Sequence, residues 1–318
     1  MTAGGLKKKC LYLFFACPLL LVICVIVAKP SFAANEKIVV VKQRGIKIYA
    51  QVLSGFESTA RASIRVVEPG SGPGANGRLI EAVHESAAPL VFTIGQDSLA
   101  RAAALKKRGL MDARILYAMA LDPAEALPPG PANAGVGMAI APQVALETLK
   151  KVLPSAKRIG VVYTVSKTGY IYSALVKAAR QRGMAVKGIA VSGPRQFAPA
   201  LDKLAGKIDV LYMLPDITVL DSINLEYMME FSLERRVPVF AISGKYVENG
   251  ALLALSLNPY DIGRQAGEMA NRILSGRQAL GRMEFARRGA LSINLRVARI
   301  LGIKVPEEAI KTAVEIVK

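Results

Sequence analysis

The sequence predicts an α/β protein of two lobes, each built on a doubly wound parallel sheet, and three observations carry that expectation. Short β-rich runs such as Lys37–Val41 (KIVVV) and Leu90–Ile94 (LVFTI) are apolar throughout, as strands covered on both faces are. Amphipathic stretches separate these runs, and the resulting βα alternation implies parallel sheets. A Pro-rich break at Pro123–Pro131 (PAEALPPGP) divides the alternation into two similar halves, and 318 residues suit two domains.

The first half starts with strand Lys37–Val41. Over Ile48–Ala60, residues Tyr49, Val52, Leu53, Phe56 and Ala60 fall on one helical face. Ser63–Val67 reads as a strand, Gly77–Ser86 as a helix, Leu90–Ile94 as a strand, Ser98–Leu105 as a helix and Arg114–Ala118 as a strand. Four prolines in the nine residues that open at Pro123 exclude a helix or central strand there. The second half reads as helix Val144–Val152, strand Arg158–Tyr163, helix Tyr170–Arg182, strand Ala185–Val191 and helix Phe197–Ala205. Strand Asp209–Leu214, helix Leu220–Arg235 and strand Val237–Ile242 complete it.

The first 33 residues do not read as fold. Lys7, Lys8 and Lys9 precede an uncharged apolar run of 18 residues, Leu11 to Ala28, and Ser31-Phe32-Ala33 places small residues before a cut at Ala34. That is the pattern of a cleavable secretory signal peptide and an extracytoplasmic, periplasmic destination. The run is long enough for an uncleaved anchor, the weaker alternative. Lipidation is weaker too, because Cys24 follows the bulky Ile23 and few apolar residues precede Cys17. The three cysteines, Cys10, Cys17 and Cys24, all fall in this segment, so the mature chain holds none and relies on its core.

Composition narrows function. The formal charge is +18, and the mature chain keeps 38 basic against 24 acidic residues, or +14. The basic residues are scattered without interleaved aromatics, which argues against a nucleic-acid partner and for a solvated surface, with attraction to anions as the sharper reading. With no mature cysteine and one histidine, His84, a zinc cluster or a Cys/His dyad is excluded. Gly72-Pro73-Gly74-Ala75-Asn76-Gly77 fits GxGxxG, but it follows the second strand and Pro73 removes a donor, so no dinucleotide cofactor is expected. No cofactor, metal or enzymatic activity is expected.

In open α/β sheets the binding crevice lies beyond the C-terminal ends of the strands. Those ends are small or polar here: Lys42–Lys47, Gly95–Ser98, Ala120–Pro123, Thr164–Gly169, Pro215–Thr218 and Ser243–Tyr246. Tyr49, Tyr170 and Tyr246 stand near them and can sandwich an apolar solute.

The stretch VPVFAISGKYVENGALLALSLNPYDIGRQAGEMANRILSG, with Gly250–Ser256 and Tyr260–Ala266 as its motifs, resembles the ABC transporter substrate-binding family that has the type I periplasmic binding fold. The likeness is strong over residues 138–306 and looser, but collinear, over 37–137. It implies three crossings between lobes, near Gly137–Pro142, after Leu257 and near Arg282. Lobe 1 is then 34–138 plus 258–281, and lobe 2 is 139–257 plus 282–318. It also implies a monomer that binds a small polar solute, amino-acid-like in many members of the family, in the cleft and delivers it to a membrane permease with its ATPase. A sensory protein of the same fold is the alternative.

The matching positions are the loop after the first strand (Lys42, Arg44), the Gln96-Asp97-Ser98 turn, Asp122, the Ser166–Gly169 turn and Pro215-Asp216, with Ser243 and the tyrosines beside them. For a zwitterion, Ser98 and Thr168 are placed to bind the carboxylate, and Asp216 or Asp122 the ammonium group. Asp216 should then lie at the cleft mouth. Lys42 and Arg44 facing the cleft would instead suit an anion.

Overall fold

The computed structural model describes residues 37–70, 72, 74–127, 133–278, 281 and 283–318. The expected signal segment, Ala34, Pro73, three of the four prolines of the break and Arg282 lie outside them. No described helix is long and apolar enough to cross a membrane.

The chain runs β1 Lys37–Lys42, α1 Lys47–Glu57, β2 Ser63–Val67, α2 Ala75–Ser86, β3 Leu90–Ile94, α3 Gln96–Lys107, β4 Arg114–Ala118, α4 Pro123–Ala126 and β5 Asn133–Ile140. It continues with α5 Pro142–Val152, β6 Arg158–Tyr163, α6 Val165–Arg180, β7 Ala185–Ala190, α7 Phe197–Asp202, β8 Val210–Tyr212, α8 Ser222–Arg235, β9 Val239–Ala241, α9 Gly244–Glu248 and β10 Leu253–Ser256. Then come α10 Pro259–Leu274, β11 Met283–Ala286, β12 Ala290–Asn294, α11 Leu295–Leu301, α12 Glu307–Thr312 and β13 Glu315–Val317.

Two sheets result. The first has the order β11-β5-β4-β3-β1-β2 and all its pairs are parallel. The second has the order β13-β12-β10-β9-β8-β6-β7, parallel except where β12 returns antiparallel to β10. Every residue of β3, and all of β1 but its first, is buried, because helices cover both faces of the first sheet. The Phe56 and Phe92 rings, 4.3 Å apart, join α1 to that sheet.

α10 completes the first lobe although it follows β10 of the second sheet. Asn258 caps it, its Oδ1 accepting from the backbone N–H of Tyr260 at 2.9 Å, and Pro259 sits in the first turn, where its missing donor costs nothing. Gly55, Gly263 and Gly267 bring α1 and α10 close. A Cβ on Gly263 would overlap the carbonyl oxygen of Val52, and one on Gly55 would overlap that of Tyr260. The Thr59 hydroxyl donates to the Arg264 carbonyl at 2.9 Å and locks the pair.

The passages between sheets lie at Ala141, at Leu257-Asn258 and after Ala286. The last corrects the crossing expected near Arg282: β11 pairs with β5 in register Met283↔Gly135, so residues 283–286 belong to the first sheet. A strand of four residues with Glu284 in its middle carries too little apolar pattern to be read as one. The passages converge at Gly289, where a Cβ would overlap side chains of Ile140 and Leu255. Two local expectations also change. Pro123 opens one helical turn, α4, because proline is tolerated at N1. Residues Ser166–Gly169 are the first turns of α6 rather than a free turn.

Candidate functional site

The C-terminal ends of the strands in the two sheets flank one cleft. A cavity of about 430 Å³ in it is lined from both lobes and lies within the range of small-molecule sites. Met119 and Met138 contribute from the first sheet, Tyr212, Phe240 and Tyr246 from the second lobe, and Leu257 from the second passage. The lining is mostly apolar. The Tyr212 and Phe240 rings lie 4.8 Å apart, tilted by 48°, and form part of the wall. Met119 holds a left-handed backbone at φ +59, a conformation that costs a non-glycine residue about 1–3 kcal/mol and re-aims the chain where β4 leaves the sheet. Burial pushes the Tyr212 phenol far above its ordinary range, so it stays neutral.

A smaller cavity of about 240 Å³ lies beside the first and shares Leu121 with it. Tyr117, Asp122, Ser166, Lys167 and Tyr170 line it. Burial, and secondarily Tyr170, pushes the Tyr117 phenol up to about 12. Asp122 after β4 pairs with Lys167 at the start of α6, an ion pair between the lobes. The Asp122 carboxylate, through its hydrogen bond and then its charge, raises the Lys167 pKa. Tyr170 stacks on Phe285 of β11 with centroids 6.0 Å apart, a second contact across the cleft.

Of the residues singled out from sequence, Ser243 and Tyr246 line the large cavity, and Asp122, Ser166 and Tyr170 line the smaller one. The others have different tasks. Gln96 clamps two strand-end loops: its Nε2 donates to the Asp122 carbonyl at 2.8 Å and its Oε1 accepts from the Asp122 N–H at 3.2 Å. Asp97 accepts from Gln43 Nε2 at 2.5 Å. Tyr49 lies over Gly95, where a Cβ would overlap its ring. Burial, then the charge of Asp97, raises its pKa. Ser98 is buried in the first turn of α3.

Two expectations are overturned. Lys42 does not present a free cation to the cleft, because it pairs with Glu68 just beyond β2, and Arg44, which stays exposed, shares that carboxylate through its Nε at 3.1 Å. β1 and β2 are neighbours, so their C-terminal ends bring these groups together, and Lys42, 8% exposed, is compensated there. Hydrogen bonds from Lys42, then Arg44, lower the Glu68 pKa.

Asp216 is not at the cleft mouth; it is 1% exposed. Its carboxylate accepts from Thr164 N at 2.7 Å, Thr168 Oγ1 at 2.6 Å, Thr218 N at 3.1 Å and Thr164 Oγ1 at 3.3 Å. It ties the loop after β8 to the start of α6, and it removes Thr168 as a free donor as well.

Sequence reasoning missed Met119, Met138, Tyr212, Phe240 and Lys245 of the large cavity. Tyr212 and Phe240 stand in apolar runs that read as core. Lys245 lies within the Ser243–Tyr246 strand end, where its charge was the available signal. Among the described residues, no group of three or more His, Cys, Asp or Glu is placed to hold a metal ion.

A family model described as "ABC transporter substrate binding protein" matches residues 126–317. A tyrosine-binding protein of Clostridioides difficile (strain R20291) is 28% identical over 174 residues, which cover 52% of this chain and 50% of that one, about half the relative's own length. Two solved structures share the fold. One is the ligand-free, open form of a substrate-binding protein with adhesive properties from Clostridium difficile, at 23% identity and TM-score 0.60, covering 89% of this chain and 99% of that one. The other is an ABC domain in complex with L-Trp from Streptococcus pneumoniae, at 19% identity and TM-score 0.53, covering 89% of this chain and 100% of that one.

Proposed function

Because this chain belongs to the ABC transporter substrate-binding protein family, we propose that it captures a small solute between its lobes, outside the cytoplasmic membrane, and hands it to a membrane permease driven by its ATPase. The observation that carries this reading is the cavity of about 430 Å³ at the strand ends, walled by both lobes and by the passage between them. A site built on a hinge closes when its occupant touches both sides. The walls suit a solute of amino-acid size with an apolar or aromatic body, and an amino-acid-like solute fits. Two similar proteins, one tyrosine-binding and one in complex with L-Trp, support that class.

The family is extracytoplasmic, and export through the cleavable segment 1–33 completes the reading. The expected mode is that of a binding protein, with no bond made or broken. Thermal-shift screening of amino acids, peptides and small anions, followed by small-angle scattering with the best of them, tests it. A stabilising solute should reduce the radius of gyration, and Met138→Trp, which fills the cavity, should abolish the effect. An unchanged radius at saturation would refute closure around the solute.

A further inference from the structure

The large cavity offers a ligand one kind of charge. Among the described residues that line it, none is an Asp or a Glu, and Lys245 alone carries a charge. Acids around the cleft are engaged inside the protein: Asp122 pairs with Lys167, Asp216 accepts from Thr164, Thr168 and Thr218, and Glu315, behind Gly244, accepts from Ser292. An ammonium group entering the cavity meets no acidic side chain on its wall, so it gains less there than a carboxylate does.

The Lys245 ammonium group, by contrast, has no ion-pair or hydrogen-bond partner among the described residues. Tyr212, also on the wall, is 8% exposed, and its hydroxyl makes no hydrogen bond to a described residue. It is a neutral donor, because burial raises its pKa far beyond working pH. A free cation and a neutral phenol donor on an aromatic, apolar wall complement a carboxylate on an apolar body. The net positive charge of the chain draws anions in the same direction.

Resting on the cleft reading above, we propose that the cavity selects aromatic carboxylic acids without an α-amino group, of the arylpropionate class, over the corresponding amino acids, through Lys245 and Tyr212. The acid lies with its ring against Phe240 and Tyr246 and its carboxylate toward Lys245.

Titration calorimetry with three probes sharing one ring tests this: 3-(4-hydroxyphenyl)propionate, L-tyrosine and tyramine. The acid should bind tightest, with tyrosine at least about tenfold weaker and tyramine weakest. Lys245→Met should weaken the acid about tenfold or more without moving the melting temperature, since the side chain is exposed. Lys245→Glu should reverse the order of acid and amine. Tyrosine bound more tightly than the propionate overturns the inference and leaves the cleft reading standing. Propionate binding that survives Met138→Trp overturns both, because the site is then elsewhere. Binding of none of the three overturns the inference.

Discussion

Asp216→Asn should destabilise the empty protein, and the structure sets the size of the effect. The carboxylate is buried and receives two backbone N–H groups and two hydroxyls. Asparagine keeps one acceptor oxygen and turns the other position into an NH2. If the retained oxygen holds Thr164 N and Thr168 Oγ1, the NH2 faces the Thr218 N–H, donor against donor. One buried N–H then goes unpaired, at about 1–3 kcal/mol. Asp216→Ala removes both oxygens. The hydroxyls can rotate toward other acceptors but the two backbone donors cannot, so its cost should be about 2–6 kcal/mol. In a domain of this size each kcal/mol shifts the melting temperature by about 2–4 °C. Calorimetric or circular-dichroism melting should therefore give wild type, Asn and Ala in descending order. In a double-mutant cycle with Thr168→Val the effects should not add, because the two side chains share one hydrogen bond of 2.6 Å. An Asn variant with unchanged melting and lost solute binding would refute this reasoning and put the carboxylate on the ligand.

Further tests address the packing, the pH response, the contact between lobes and the export segment. Gly263→Ala should destabilise by about 1–3 kcal/mol or prevent folding, because its Cβ would overlap the Val52 carbonyl; a melting curve like wild type would contradict the close helix pair. For Glu284, burial raises the pKa, but Arg287, Arg272 and Gln265 outweigh it and the net shift is downward. The stability it contributes is thus complete above the ordinary carboxylate pKa and lost as pH falls through the lowered one, so Glu284→Gln should flatten the acid limb of melting temperature against pH. Lys167→Met removes the pairing with Asp122 across the cleft and should speed solute release about two- to fivefold in stopped flow, an advantage that vanishes in high salt. Exported protein should start at or near Ala34 by N-terminal sequencing and carry no lipid mass.

The strands read most clearly from sequence were the long apolar runs, and β2, β3, β4 and β6 have the bounds their patterns indicate. β5 went unread because Gly135 and Gly137 interrupt its apolar run just after the prolines; a Cβ on Gly135 would overlap the Tyr117 ring, so packing dictates the glycine. The crossing after Ala286 was misplaced for a related reason: β11 is short and edge-lying, with Glu284 held by Arg272 and Arg287.

The site divided along a physical line. Strand-end loops were located from the fold rule, which is why Ser243, Tyr246, Asp122 and Ser166 border the cavities. Which of their charges stay free was illegible, because it depends on partners far apart in sequence. Glu68 claims Lys42 and Arg44, and the threonines at 164, 168 and 218 claim Asp216. The aromatic wall was illegible for the opposite reason, since a ring at the cavity edge of a buried strand has the same local pattern as one in the core.

The pairing of α1 with α10 bears on how the chain acquires its shape. Thr59 reaches Arg264 over a separation of 205 residues, and the Asn271 side chain donates to the Thr59 carbonyl over 212. A polypeptide emerging N-terminus first, from a ribosome or through a membrane pore, therefore lays down five strands of its first sheet long before the helix that shields their apolar face exists. Until Leu274 is out, α1 covers only part of that face and the nascent lobe remains open to chaperones and to threading. The intervening lobe, whose β6 to β10 lie close in sequence, has the local contacts that form early. Assembly should then run from the middle of the chain outward, and the slowest step should be the closure of a loop of about two hundred residues.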